Sequence, residues 1–193
     1  MSRIGVLGGT FDPIHVGHLA AASQVHHALG LDTILLVPAN AQPLKPAPIA
    51  SGSDRLAMCQ AVAAADSRFE VSDVDVARGG ATYTVDTLGD LRKHNPGAEF
   101  FFIVGADSLA TLPRWKDYET LITLASFVGV ARPGHSLTQL DAPHLLVDVP
   151  ALAVSSTEIR DRAQDGVPIR YLVPDAVAQY VEEHGIYHGG KHE

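Results

Sequence analysis

Directly after the apolar run Ile4-Gly5-Val6-Leu7, the chain reads Gly8-Gly9-Thr10-Phe11-Asp12-Pro13-Ile14-His15-Val16-Gly17-His18. Glycines let a backbone approach a phosphate closely, turn N–H groups point outward, and imidazoles donate hydrogen bonds to developing negative charge. The pattern reads as a buried strand, a glycine-rich turn and two histidines at the start of a helix. Other readings compete. A glycine-rich turn follows a strand in many α/β proteins. Histidines at i and i+3 share a helix face and could hold a metal, although no HExxH accompanies them and the single cysteine, Cys59, lies in a separate helix-like segment. The spacing Gly5-x-x-Gly8-Gly9 is not the GxGxxG of a dinucleotide fold, and no Walker lysine follows, which disfavours a redox enzyme.

A second candidate anion site is Val154-Ser155-Ser156-Thr157-Glu158-Ile159-Arg160. Ser155 and Glu158 have the spacing of a capping box, so a well-capped helix explains them by itself. Ser155 can cap while Ser156, Thr157 and their N–H groups face an anion at the positive helix end, with Arg160 within reach.

The elements that must position these residues alternate in type. Strand-like runs at Ile4–Leu7, Thr33–Val37, Phe100–Val104, Phe127–Ala131 and about Leu145–Val149 alternate with helix-like segments at Gly17–Leu29, Ser53–Ala65 and Thr82–Lys93. Two more helices close the chain. Phe69–Ala77 alternates like a half-exposed strand, which would turn Asp73 and Asp75 to solvent. Pro43, Pro46 and Pro48 make Ala39–Gly52 a loop. Fully apolar central strands with intervening helices predict an α/β fold, a single-domain, doubly wound parallel sheet. Such sheets bind ligands beyond the carboxyl ends of their strands. Gly8–His18, Asn40–Lys45, Gly105–Asp107, Arg132 and Ser155–Arg160 all follow strands, as one shared site requires. The expected domain is 1–187, with a polar, frayed tail at 188–193.

Taken together, these motifs resemble the HxGH nucleotidyltransferase superfamily, and within it the bacterial nicotinate-mononucleotide adenylyltransferases. The second run is similar to that family's ISSTxIR, with Val154 in place of isoleucine. Phosphopantetheine adenylyltransferases and cytidylyltransferases carry related motifs. Thr82-Tyr83-Thr84-Val85-Asp86-Thr87-Leu88, Gly105-Ala106-Asp107 with Trp115, and Val130-Ala131-Arg132-Pro133-Gly134 are similar to the nicotinate-mononucleotide group, so the resemblance covers nearly the whole chain.

The resemblance implies a Rossmann-like nucleotidyltransferase fold and AMP transfer from ATP to nicotinate mononucleotide, giving nicotinate adenine dinucleotide and pyrophosphate. It implies His18 at the α-phosphate and His15 with Gly8, Gly9 and Thr10 cradling phosphates. Ser156, Thr157 and Arg160 would hold the leaving pyrophosphate, and Lys45 would reach the phosphates, though Leu44 stands where many members have histidine. Gly105 and Asp107 would meet ATP, Asp107 at its ribose hydroxyls. Trp115 would stack on the nicotinate ring, Thr84 would sit at the pyridine carboxylate, and Arg132 would contact the mononucleotide. Each has a plainer reading: Trp115 as a core or rim anchor, Thr84 and Asp107 as caps, Lys45 as a solvated charge. Mg²⁺ is expected with ATP, with no protein-bound metal required.

Bulk properties agree. The chain has 193 residues, 46% hydrophobic and 19% charged, with a net charge of −8. That acidity argues against a nucleic-acid or anionic-membrane partner, and any polyphosphate would need locally concentrated positive charge. One cysteine excludes an internal disulfide and fits a reducing compartment. With no leader-like start and no run of membrane-helix length, a cytoplasmic protein is expected. A homo-oligomer is compatible with all of this. A non-catalytic nucleotide sensor on the same fold would differ by making no product.

Overall fold

The computed structural model describes residues 2–43, 45–131, 144–150 and 152–188. Six strands form a wholly parallel sheet: β1 Arg3–Gly9, β2 Thr33–Pro38, β3 Phe69–Val71, β4 Glu99–Gly105, β5 Ser126–Ala131 and β6 His144–Asp148. Their spatial order is β3-β2-β1-β4-β5-β6. The chain winds outward from β1 in one direction and from β4 in the other, so the sheet is doubly wound as expected. The reversal opens a crevice between the carboxyl ends of β1 and β4, where Leu7 pairs with Ile103.

The strand pattern shows how this sheet is buried on both sides. Leu7, Ile34, Leu36, Phe101 and Ile103 point into one core, while Ile4, Val6, Leu35, Val37, Phe100, Phe102 and Val104 point into the other. β1, β2, β4 and β5 thus feed both cores alternately, which is why their sequences are almost continuously apolar, while the edge strands β3 and β6 contribute to the first core alone. The first core is closed by α1 Val16–Leu29, α2 Gly52–Ala65, α7 Ser156–Gln164 and α8 Asp175–Glu183. The second is closed by α4 Thr84–His94, the short α5 Ala106–Leu109, a 3₁₀ turn at Leu112–Arg114 and α6 Tyr118–Leu124.

One segment departs from its sequence pattern. The expected strand Phe69–Ala77 stops at Val71, and Val74–Arg78 forms a short helix, α3. Asp75 therefore points inward rather than to solvent and is buried beside Thr87, whose hydroxyl donates to its Oδ1 at 2.7 Å. A strand would put Val74 and Val76 on one face and a helix puts them on different sides of its axis, but two valines are too few for alternation to separate the two periods. Of the tail expected at 188–193, only His188 lies within the described residues.

Leu88 is fully buried in the second core and holds α4 against the sheet. Leu88→Ala should cost about 2–5 kcal/mol. A lowered urea midpoint with an unchanged slope is the expected reading.

Candidate active site

Gly8, Gly9 and Thr10 leave β1 at the crevice and line a cavity of about 1430 Å³. Gly9 is required by packing: a Cβ there would meet the Phe11 ring at 2.8 Å. Phe11 itself sits at φ 51° and is buried. Among the described residues, the Thr10 hydroxyl is a buried side-chain oxygen or nitrogen with no hydrogen-bond partner. Such a group is satisfied when a polar ligand enters.

The two histidines of the motif form the cap of α1. His15 is the N-cap, and its Nδ1 accepts the His18 N–H at 3.4 Å, while His18 Nδ1 accepts the His15 N–H at 3.3 Å. The i, i+3 spacing is thus a capping box built from imidazoles, with the rings stacked at 3.6 Å. An Nδ1 that accepts a backbone N–H carries no proton, so each neutral ring is a donor at Nε2. Burial lowers His15 from the ordinary 6.5 to about 4. Burial, then the neighbouring His15 and Lys45, lower His18 to about 3. Both rings line the cavity as neutral donors at physiological pH.

The second motif meets the first at the turn Asp12–Pro13. Ser155 caps α7 by accepting the Glu158 N–H at 3.2 Å. Its neighbour Ser156 donates from Oγ to the Pro13 carbonyl at 3.0 Å, and Arg160 donates to the Asp12 carbonyl at 2.8 Å and to Thr157 Oγ1 at 3.2 Å. The Asp12 carboxylate is buried and accepts from the Ile49 and Ala50 N–H groups at 2.8 and 3.0 Å and from the Tyr187 hydroxyl at 2.8 Å. Burial first, and then the Asp12 charge, push the Tyr187 phenol far up, so it remains a donor.

Asp12, Arg55 and Tyr187 were not among the expected site residues, and Asp75, expected to face solvent, is buried. Arg55, almost wholly buried, donates to the carbonyls of Thr10, Ala39, Asn40 and Ala50, bracing the ends of β1 and β2. Its signal was available, because Arg55, Met58, Cys59 and Val62 form the buried stripe of α2. Asp12 lay inside the quoted motif. Tyr187 offered no local signal.

On the other face, Trp115 is half-buried, edge-on to Phe102 and Phe127, with its indole N–H on Thr111 Oγ1 at 3.2 Å. It lines the same cavity as Thr84, Gly105, Asp107 and Lys45. Thr84 is the first residue of α4 and Tyr83 its N-cap, so the capping reading of Thr84 is replaced. Thr82 Oγ1 accepts the Asn40 N–H at 2.9 Å, tying the end of β2 to the start of α4. The cavity thus gathers His15, His18, Gly8, Gly9, Thr10, Lys45, Thr84, Gly105, Asp107, Trp115, Ser156, Thr157 and Arg160. Arg132 lies outside the described residues.

The cytidylyltransferase-like family model matches residues 6–162. A Clavibacter michiganensis subsp. michiganensis protein named probable nicotinate-nucleotide adenylyltransferase is 51% identical, the match covering 96% of this chain and 94% of that one. A Streptomyces coelicolor protein of the same name is 48% identical over 95% of this chain and 100% of its own. A solved structure of Plasmodium falciparum nicotinic acid mononucleotide adenylyltransferase complexed with NaAD shares the fold, with a TM-score of 0.77 at 19% identity, covering 97% of this chain and 98% of that one.

In the unfolded chain both imidazoles take up protons near 6.5, and in the folded chain only near 4 and 3. Between those values the unfolded form binds more protons, so stability falls as pH drops below 6.5 and is level above it with respect to these groups. His18→Asn keeps an acceptor near the Nδ1 position and removes the titration. Its stability should fall less steeply than the wild type's between pH 6.5 and 4, and ring NMR of the free wild-type protein should show Nε2–H forms throughout that window.

Proposed function

We infer the chemistry from membership: this protein belongs to the cytidylyltransferase-like family and, within it, to the nicotinate-nucleotide adenylyltransferases, and it transfers AMP from ATP to nicotinate mononucleotide. The products are nicotinate adenine dinucleotide and pyrophosphate. The observation that carries the reading at atomic level is the imidazole capping box, two neutral donors beside the turn that the second motif grips.

A phosphate oxygen of the mononucleotide attacks the α-phosphorus of ATP in line. The new P–O bond forms as the bond to the bridging oxygen breaks, and that electron pair leaves with pyrophosphate. A phosphate monoester is largely dianionic at neutral pH, with a second pKa of about 6, so no general base is needed. What remains is positioning and stabilisation of charge. In this reading His18 donates from Nε2 to the α-phosphate, and a neutral donor suits a step in which the enzyme gains no proton. His15, the Gly8–Thr10 backbone and Lys45 hold neighbouring phosphate oxygens. Ser156, Thr157 and Arg160 take the leaving group, with Arg160 already held at the Asp12 carbonyl. Gly105 and Asp107 take the ATP ribose side. Trp115, Thr84 and Arg132 take the mononucleotide.

Mg²⁺ is proposed as a partner of ATP rather than of the protein. Among the described residues no group of three or more His, Cys, Asp or Glu could hold a metal ion. Of the three cavity carboxylates, Asp12 is engaged by Ile49, Ala50 and Tyr187 and Asp75 by Thr87 and Arg78, while Asp107 is assigned above to the ATP ribose. Bound with ATP, Mg²⁺ would supply neutralisation of phosphate charge. No helix among the described residues is long and apolar enough to cross a membrane. A cytoplasmic setting belongs to the same proposal, supported by the free, buried Cys59.

Pyrophosphate release with ATP and Mg²⁺ should be strongest with nicotinate mononucleotide, weaker with the amide and absent with phosphopantetheine. Loss of one transition-state donor typically costs ~10²–10³ in turnover, so His18→Ala should lose kcat on that scale. Wild-type turnover with only weaker ATP binding would remove His18 from its role. Trp115→Ala should act mainly on the KM for the mononucleotide.

A further inference from the structure

The protein carries a net charge of −8, yet Lys45, Arg114, Lys116 and Arg160 all line its cavity. Two of these belong to the phosphate pole: Lys45 acts electrostatically on His18, and Arg160 is bonded to Asp12. Arg114 and Lys116 flank Trp115 at the opposite arm. Lys116 Nζ lies 3.0 and 3.3 Å from the two carboxylate oxygens of Asp86, in the first turn of α4, and 4.6 Å from the centroid of the Tyr83 ring. Both partners are roughly two-fifths exposed, at 41% and 38%. An exposed pair of this kind stabilises a fold little. The place of Lys116 on the cavity wall therefore carries more meaning than the energy of the pair.

The reaction decides what reaches that wall. The triphosphate and the attacking phosphate share the pole built by α1 and α7, on the first-core face of the sheet. The pyridine ring of the mononucleotide must then enter the arm lined from the second-core face by Tyr83, Thr84 and Trp115. Acid and amide mononucleotides differ there by one unit of charge. We propose that Lys116 is a specificity-determining residue, whose ammonium covers the Asp86 carboxylate and turns positive charge toward the pyridine carboxylate, favouring the acid over the amide. This rests on the activity inferred above.

Removing Lys116 penalises the carboxylate of the acid twice, through lost attraction and through the uncovered Asp86 charge, while the pyridinium charge is common to both mononucleotides and cancels in their ratio. The test compares kcat/KM for the two mononucleotides in the wild type, Lys116→Ala, Lys116→Arg and the double variant Lys116→Ala with Asp86→Asn. In Lys116→Ala the acid-to-amide ratio should fall about five- to tenfold, the scale of one screened charge pair near a surface. The loss should sit in the KM for the acid, with the KM for ATP and thermal stability unchanged. Lys116→Arg should keep the ratio, the double variant should recover part of it, and added salt should narrow it in the wild type. An unchanged ratio in Lys116→Ala, or equal losses with acid and amide, overturns the proposal and leaves the activity standing. A wild type that releases pyrophosphate with neither mononucleotide overturns the activity, and this proposal with it.

Discussion

The Asp12 carboxylate is buried, and three donors converge on it: the Ile49 and Ala50 N–H groups, from the loop before α2, and the Tyr187 hydroxyl, from beyond α8. Its own carbonyl accepts from Arg160, and the next carbonyl, of Pro13, accepts from Ser156. A buried carboxylate without such partners would be costly, so these segments must meet at this turn or leave a charge unpaired. The two phosphate motifs are consequently not independent sites facing each other across solvent. They are bonded through main-chain carbonyls, and the helix carrying His15 and His18 starts from the same turn.

Arg55, on α2, plays the matching part for carbonyls. Its guanidinium gathers carbonyls from the ends of β1 and β2 and from the loop before α2. These carbonyls lie where strands have ended and no sheet partner is left, so a buried multi-donor group is needed to satisfy them. Asp12 receives N–H groups and Arg55 donates to C=O groups. The Thr10 carbonyl is paired by Arg55, while the Thr10 hydroxyl, buried at the cavity, has no partner.

The sheet divides the site's work between its faces. Alternating side chains send α1 with His15 and His18, and α7 with Ser156 and Arg160, to one core, and α4 with the Trp115 segment to the other. The crevice at the strand reversal is where the two sets can face one ligand. The link from Asn40 to Thr82 joins the halves directly, so the distance between the two sides of the cavity is set by packed elements. This arrangement also explains how an acidic protein binds a polyphosphate. Its histidines are kept neutral and its cavity cations are few, placed and in part already bonded.

Much of this was legible in the chain itself. Continuous apolar strands between helical periods specify a parallel sheet covered on both sides, and turn residues after strands place chemistry at one end of it. Local spacing likewise marked His15, His18, Ser155 and Arg160, because caps and helix starts are short-range features. What tertiary structure decided were the long-range pairings: Asp12 with Tyr187, Arg55 with four carbonyls, Asp75 with Thr87. Their partners lie 175 residues apart in the first case, and no local period encodes a contact across such a distance. Asp75 shows the limit most directly. Its neighbours alternate like a strand, but Asp75 is buried against Thr87 of α4, which only packing brings to it, while the helical turn itself sets Arg78 beside it at i+3.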